Sequence, residues 1–105
     1  MIKHLQKFKV QRLQTGIDDD GLPVQQWQDI GTLFGILAST KLDEQVNWQQ
    51  LQHPVTHTIA QRGKPKARPM DRFVWSGRYF YVQGVREAGT AHGWTVYQCE
   101  ERMVR

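Results

Sequence analysis

Apolar and polar positions alternate through most of this chain, and the alternation is interrupted at glycine- and proline-rich points that divide it into short segments. From Leu5, "LQKFKVQRL" sets Phe8, Val10 and Arg12 on one side and Lys7, Lys9 and Gln11 on the other, the two-residue period of a half-buried strand. "TGIDDDGLP" is a dense turn cluster, and "VQQWQDIGTLFGILA" then resumes apolar character as a second strand. Gly31 and Gly35 predict that this strand bends or bulges. "PVTHTIAQR" alternates again, with Val55, His57 and Ile59 on one face. "DRFVWSGRYFYVQGVRE" places Ser76-Gly77 between two aromatic, β-branched runs, the signature of a tight two-residue hairpin. "GTAHG" predicts a further turn before "WTVYQCEERMV", a last alternating strand. One segment breaks the rhythm. "STKLDEQVNWQQLQH" lacks glycine and proline, carries capping residues and early acids, and spaces Leu42, Val46 and Trp48 or Gln49 near a helical period, so a short helix is predicted over 41–52, ended by Pro54.

Six short strands, one inserted helix and no βαβ spacing predict a mainly β fold, a small antiparallel barrel in a single domain over 1–105. The helix has a thin apolar face crowded with Gln and Asn, so it must lie on the surface or meet another subunit. At 105 residues with 39% apolar content the core is small, which makes assembly a source of further stability.

A net charge of +4, from 14 basic and 10 acidic residues, favours an acidic partner such as nucleic acid without being extreme. The single cysteine, Cys99, excludes an internal disulfide and a cysteine-rich metal site. The amino-terminal residues lack the apolar core of a signal peptide, and no window has the ~18 apolar residues of a membrane helix, so a soluble protein is expected. His53 and His57 are separated by Pro54, His4 and His92 lie in terminal and turn regions, and no carboxylate is placed to orient any of them. Cys99 reads as a packed strand residue, and Asp18 to Asp20 lack the spaced ligands of a calcium loop. No nucleophile triad, phosphate loop or zinc spacing is present, so neither an enzyme nor a bound cofactor or metal is expected.

Two features remain. "AQRGKPKARPMDRFVW" concentrates Arg62, Lys64, Lys66, Arg68 and Arg72, and Pro65 and Pro69 keep residues 62–70 out of any regular ladder, predicting a loop with its charges on a mobile rim. The aromatic set Phe73, Trp75, Tyr79, Phe80, Tyr81, Trp94 and Tyr97 divides by alternation. Phe80 and Val82 share one face, while Tyr79, Tyr81 and Val85 share the other. One face must be core; the other is available to a neighbouring subunit, or to the bases of single-stranded nucleic acid stacking on exposed rings, the alternative function.

Taken in order, "LQKFKVQRL", "DDDGLPVQQWQDIGTLFGIL", "VTHTIAQR" with its Thr-His-x-Ile core, "DRFVWSGRYFYVQGV" and the terminal "YQCEE" resemble the phage head-tail joining proteins, also called head-closure or head-tail adaptor proteins, over about 5–101. Phe34-Gly35 stands where members of that family often carry Trp-Ala. The resemblance implies a small β-barrel with a helix inserted after the second strand. It also implies a virion protein of a tailed phage or prophage, present in the host cytoplasm before assembly, that forms a ring, commonly dodecameric, beneath the portal. There it would extend the channel for double-stranded DNA, help to close the head, and contact portal, connector and tail-completion proteins. In similar proteins the segment after the second strand, with its helix, reaches toward the channel and helps to block exit of packaged DNA; here that is about 38–54, expected from its polarity to contact a neighbouring subunit or line the channel through Leu42, Gln45, Val46, Trp48 and Gln49. A conduit requires weak, salt-dependent phosphate contacts that allow sliding, a role the resemblance offers to Arg62, Lys64, Lys66 and Arg68.

Overall fold

A computed structural model describes residues 5–40, 55–88 and 93–103. The described residues form six strands and no helix: β1 (Gln6–Ile17), β2 (Pro23–Ser39), β3 (His57–Arg62), β4 (Arg72–Trp75), β5 (Arg78–Ala88) and β6 (Trp94–Arg102). The helix expected over 41–52 lies outside the described residues. Every pairing is antiparallel. The strands close into a barrel in the order β1-β2-β3-β6-β5-β4, with β4 returning to β1. Closure removes open sheet edges within the barrel itself.

Alternation explains which side chains fill the barrel. Phe8 and Val10 of β1, Leu33 of β2, Ile59 of β3, Phe73 of β4, Phe80 and Val82 of β5, and Tyr97 and Cys99 of β6 are all buried in one cluster. Phe8 lies at its centre, with ring centroids 6.0 Å from Phe73, 6.0 Å from Trp75 and 6.2 Å from Phe80. Phe73 meets Tyr97 edge-on at 4.9 Å. Tilted and edge-on contacts of this kind add to area burial because the positive ring edge meets the negative face. The predicted hairpin is present: Trp75 pairs with Arg78 across Ser76 and Gly77, whose φ values of 51° and 74° give the two left-handed residues of a primed turn.

Val85 is a correction. It packs against the core with Phe80 and Val82, not on the outer face with Tyr79 and Tyr81. The pairing of β5 with β6 skips from Val82 opposite Cys99 to Gly84 opposite Gln98, so Gln83 is an extra residue. One inserted residue reverses the inward and outward parity of everything after it. The bend predicted in the second strand also appears as a bulge, at Ile30, where the register jumps from Val10 opposite Gly31 to Gln11 opposite Asp29.

β1 and β2 continue well past the barrel. β4 covers β1 only at Lys9, Val10 and Gln11, and β3 covers β2 only from Gly35 to Ser39. Beyond those contacts Arg12–Ile17 pairs with Pro23–Gln28 alone, as a two-stranded arm. The described residues accordingly extend 53 × 27 × 26 Å. At the arm's end the turn cluster folds as its composition predicts. Asp18 accepts hydrogen bonds on Oδ1 from the amides of Asp20 at 2.9 Å and Leu22 at 2.8 Å, and Gly21 takes φ 80°.

Candidate functional site

The basic segment is a loop, as expected, but its backbone is fastened rather than loose. Gln61, 2% exposed, donates through Nε2 to the carbonyl of Lys64 at 2.7 Å. The Tyr97 hydroxyl donates to Gln61 Oε1 and accepts from the amide of Lys66 at 2.9 Å. Thr95 Oγ1 donates to the carbonyl of Gly63 at 2.8 Å, and Ala67 inserts into the core cluster. Burial pushes the Tyr97 phenol above its ordinary value, so it remains a neutral donor. The mobile rim is therefore corrected: Arg62, Lys64, Lys66 and Arg68 present exposed side chains from a backbone held at several points. Leu42, Gln45, Val46, Trp48 and Gln49 lie outside the described residues.

A second latch holds the far end of the loop. Asp71, 1% exposed, accepts from Arg12 Nε at 3.0 Å and Nη2 at 2.9 Å, and from the amide of Arg68 at 3.0 Å. This forked pair raises the Arg12 guanidinium above its ordinary value, chiefly through the hydrogen bond. It also ties the root of the arm to the basic loop, so the two features are mechanically one unit. The turn between them spans Arg68 to Asp71, whose amide bonds the Arg68 carbonyl at 3.1 Å. Pro69 precedes a left-handed Met70, at φ 81°, a position where glycine is usual.

On the outer face, Arg72 is layered among rings. Its guanidinium carbon lies 4.1 Å from the Trp27 centroid and 4.7 Å from that of Tyr79. Nε donates to Gln11 Oε1 at 2.7 Å, and Nη1 to the Tyr81 hydroxyl at 3.0 Å. Arg102 covers Tyr81 at 4.6 Å. Such stacking is favourable because each cation meets the negative face of a ring. The outer faces of Trp27, Tyr79 and Tyr81 are thus already met by arginine, and Phe73, Phe80 and Tyr97 are buried, while Trp75 and Trp94 are half-buried and Phe34 is exposed. Next to this ladder a depression of about 210 Å³ is lined by Leu13, Trp27, Met70 and Tyr81, with Arg102 at its side. Alternation alone brought out Tyr79 and Tyr81. That Arg72 and Trp27 join them follows from cross-strand pairing, which the sequence does not display.

His57 faces Arg78 and Glu101 rather than a reaction centre. Glu101 accepts from Arg78 at 2.8 and 2.9 Å, which lowers its carboxyl below the usual range. Desolvation is the main reason His57 is held below its ordinary value, despite Glu101 at 3.7 Å. Cys99 is fully buried, and burial pushes its thiol well up, away from the thiolate a nucleophile needs. Among the described residues no three His, Cys, Asp or Glu side chains come together as a metal site would require.

Comparison with known proteins adds to this geometry. No functionally curated protein matches the sequence. A chain from the virion of a native gene transfer agent particle shares the fold, with a TM-score of 0.65 at 17% identity over 98% of this chain and 100% of that one. So does the solution structure of protein SF1141 from Shigella flexneri 2a, with a TM-score of 0.76 at 19% identity over 95% of this chain and 94% of that one. A family profile described as phage head completion protein matches residues 4–102, the whole run from β1 through β6. With the closed barrel carrying that match from end to end, this chain belongs to the phage head completion protein family.

Proposed function

We infer that this chain is a non-enzymatic structural component of a tailed phage or prophage particle, which closes the filled head and forms part of the head-tail connection. The match of the head completion family over residues 4–102 carries this reading. In it, copies assemble beneath the portal as a ring, commonly dodecameric in similar proteins, and extend the channel through which double-stranded DNA leaves. Multivalency makes such a ring effective even where one copy contacts DNA weakly. Arg62, Lys64, Lys66 and Arg68 supply phosphate contacts from the fastened loop, and the polar segment around Leu42, Gln45, Val46, Trp48 and Gln49 meets a neighbour or the channel. Portal or connector proteins and tail-completion proteins are the partners, and the chain resides in the host cytoplasm until assembly.

Deletion of 41–52 tests the reading directly. The expected outcome is a folded protein that no longer joins particles, leaving heads that lose their DNA. Infectious, DNA-filled particles built with the deleted chain would overturn it.

A further inference from the structure

We propose that the arm of one copy seats its tip in the depression at the arm root of the next copy, and that this head-to-tail contact joins the ring. The inference rests on the ring reading above and adds a contact between copies built from the described residues. The tip is apolar and acidic together: Ile17 is 76% and Leu22 60% exposed, on either side of Asp18, Asp19 and Asp20. The depression is its complement, apolar through Leu13, Trp27, Met70 and Tyr81 and lined also by Arg102, which pairs with Glu100; the exposed Arg68 lies two residues before Met70 in the chain. Opposite charges around an apolar contact select partner and register more than they add affinity.

Met70 is an independent sign that the depression is used. It is 77% exposed and held at φ 81°. A left-handed backbone costs a non-glycine residue on the order of 1 kcal/mol, and here the Met70 amide is held by the Val82 carbonyl at 3.0 Å while its thioether stays exposed. A partner that buries Met70 would give that side chain the apolar contact it lacks within one copy. The volume of about 210 Å³ falls below the roughly 300–1,000 Å³ of small-molecule pockets, and matches side chains better than a cofactor.

The tip cannot fill its own depression. Leu13 pairs with Trp27 at the root, and Ile17 lies four residues further along the same extended strand, roughly 13 Å away at about 3.3 Å per residue. The occupant is therefore another molecule, and a tip that meets a different patch on its neighbour generates a ring when the rotation closes.

The test uses the full chain in particles of the phage or prophage that encodes it. With Ile17→Cys and Met70→Cys in one chain, mild oxidation is expected to give disulfide-linked species beyond the dimer; either single variant should not, and buried Cys99 does not compete. Incorporation at the wild-type level with no cross-link overturns the proposal, and a ladder that stops at the dimer replaces head-to-tail contact with a reciprocal pair. If the cysteine pair is not incorporated, charge reversal decides. Asp19→Lys with Asp20→Lys should lower infectious titre by about tenfold or more, and adding Arg102→Glu should recover most of that loss. Reversal without effect, or loss without recovery, overturns the contact. Absence of the wild-type chain from particles would instead remove the ring reading itself.

Discussion

Replacing Tyr97 by Phe keeps the ring that packs 4.9 Å from Phe73 and removes only the hydroxyl that fastens the basic loop. Two groups then lose a partner: Gln61 Oε1, in a residue 2% exposed, and the Lys66 amide, in an exposed residue. A buried acceptor left unsatisfied costs about 1–3 kcal/mol, and the Lys66 amide costs less because water reaches it, so the substitution should cost roughly 1.5–3 kcal/mol. For a domain of this size that is a fall in Tm on the order of 6–20 °C. Urea unfolding should show a lower midpoint with an unchanged slope, since the core is intact. Amide exchange over residues 63–67 should accelerate more than exchange at Asp71 and Arg72, which the Arg12 latch holds separately. A cost under about 0.5 kcal/mol with unchanged loop exchange would refute the idea that this hydroxyl holds the loop.

A Cβ added at Gly35 would lie 2.8 Å from Ile59 Cγ2 and 3.0 Å from the Ala60 carbonyl oxygen, so Gly35→Ala should cost about 1–3 kcal/mol by thermal unfolding through forced separation of β2 and β3. Ser76→Asn, at the first left-handed position of the β4-β5 turn, should stabilise by a few tenths to about 1 kcal/mol, read as a higher urea midpoint. Because the folded state holds His57 below its ordinary value of 6.5, its contribution is present above that value and is lost as pH falls through the folded pKa. The wild type should thus lose stability relative to His57→Gln between pH 7.5 and 5, above the window where Glu101, lowered from 4.5, begins to titrate.

How far the sequence reaches can be followed along β5. Its hairpin turn was legible because Ser76-Gly77 is a local signal, and Phe80 and Val82 were correctly paired on one face because parity holds up to that point, though alternation alone did not say which face is the core. It fails at Gln83, where a bulge reverses the parity and turns Val85 inward; Gly84 marks such a place only loosely. The loop over 62–70 shows the same divide. Its prolines announced irregular backbone, but the hydrogen bond that fastens it joins Gln61 to Tyr97 across 36 positions, and nothing local encodes that contact. The family resemblance came through because it depends on the order of strands and turns, which is local. The aromatic ladder did not, because Trp27, Arg72 and Tyr81 meet only after closure of the barrel.

The arm shows most clearly why the barrel alone is an incomplete account of this chain. A two-stranded ribbon is marginal in water, since neither strand has a second neighbour and neither face a core to cover it. Here the ribbon's root is held by Arg12 on Asp71, yet its end leaves Ile17 and Leu22 to solvent. Within one molecule that arrangement exposes apolar surface and gains nothing in core packing. In the ring proposed above it would be the means by which each copy reaches the next, and the latch at Asp71 would gain a second role. It fixes the direction of the arm relative to the basic loop, so that placing one arm on its neighbour also sets where Arg62, Lys64, Lys66 and Arg68 of each copy face.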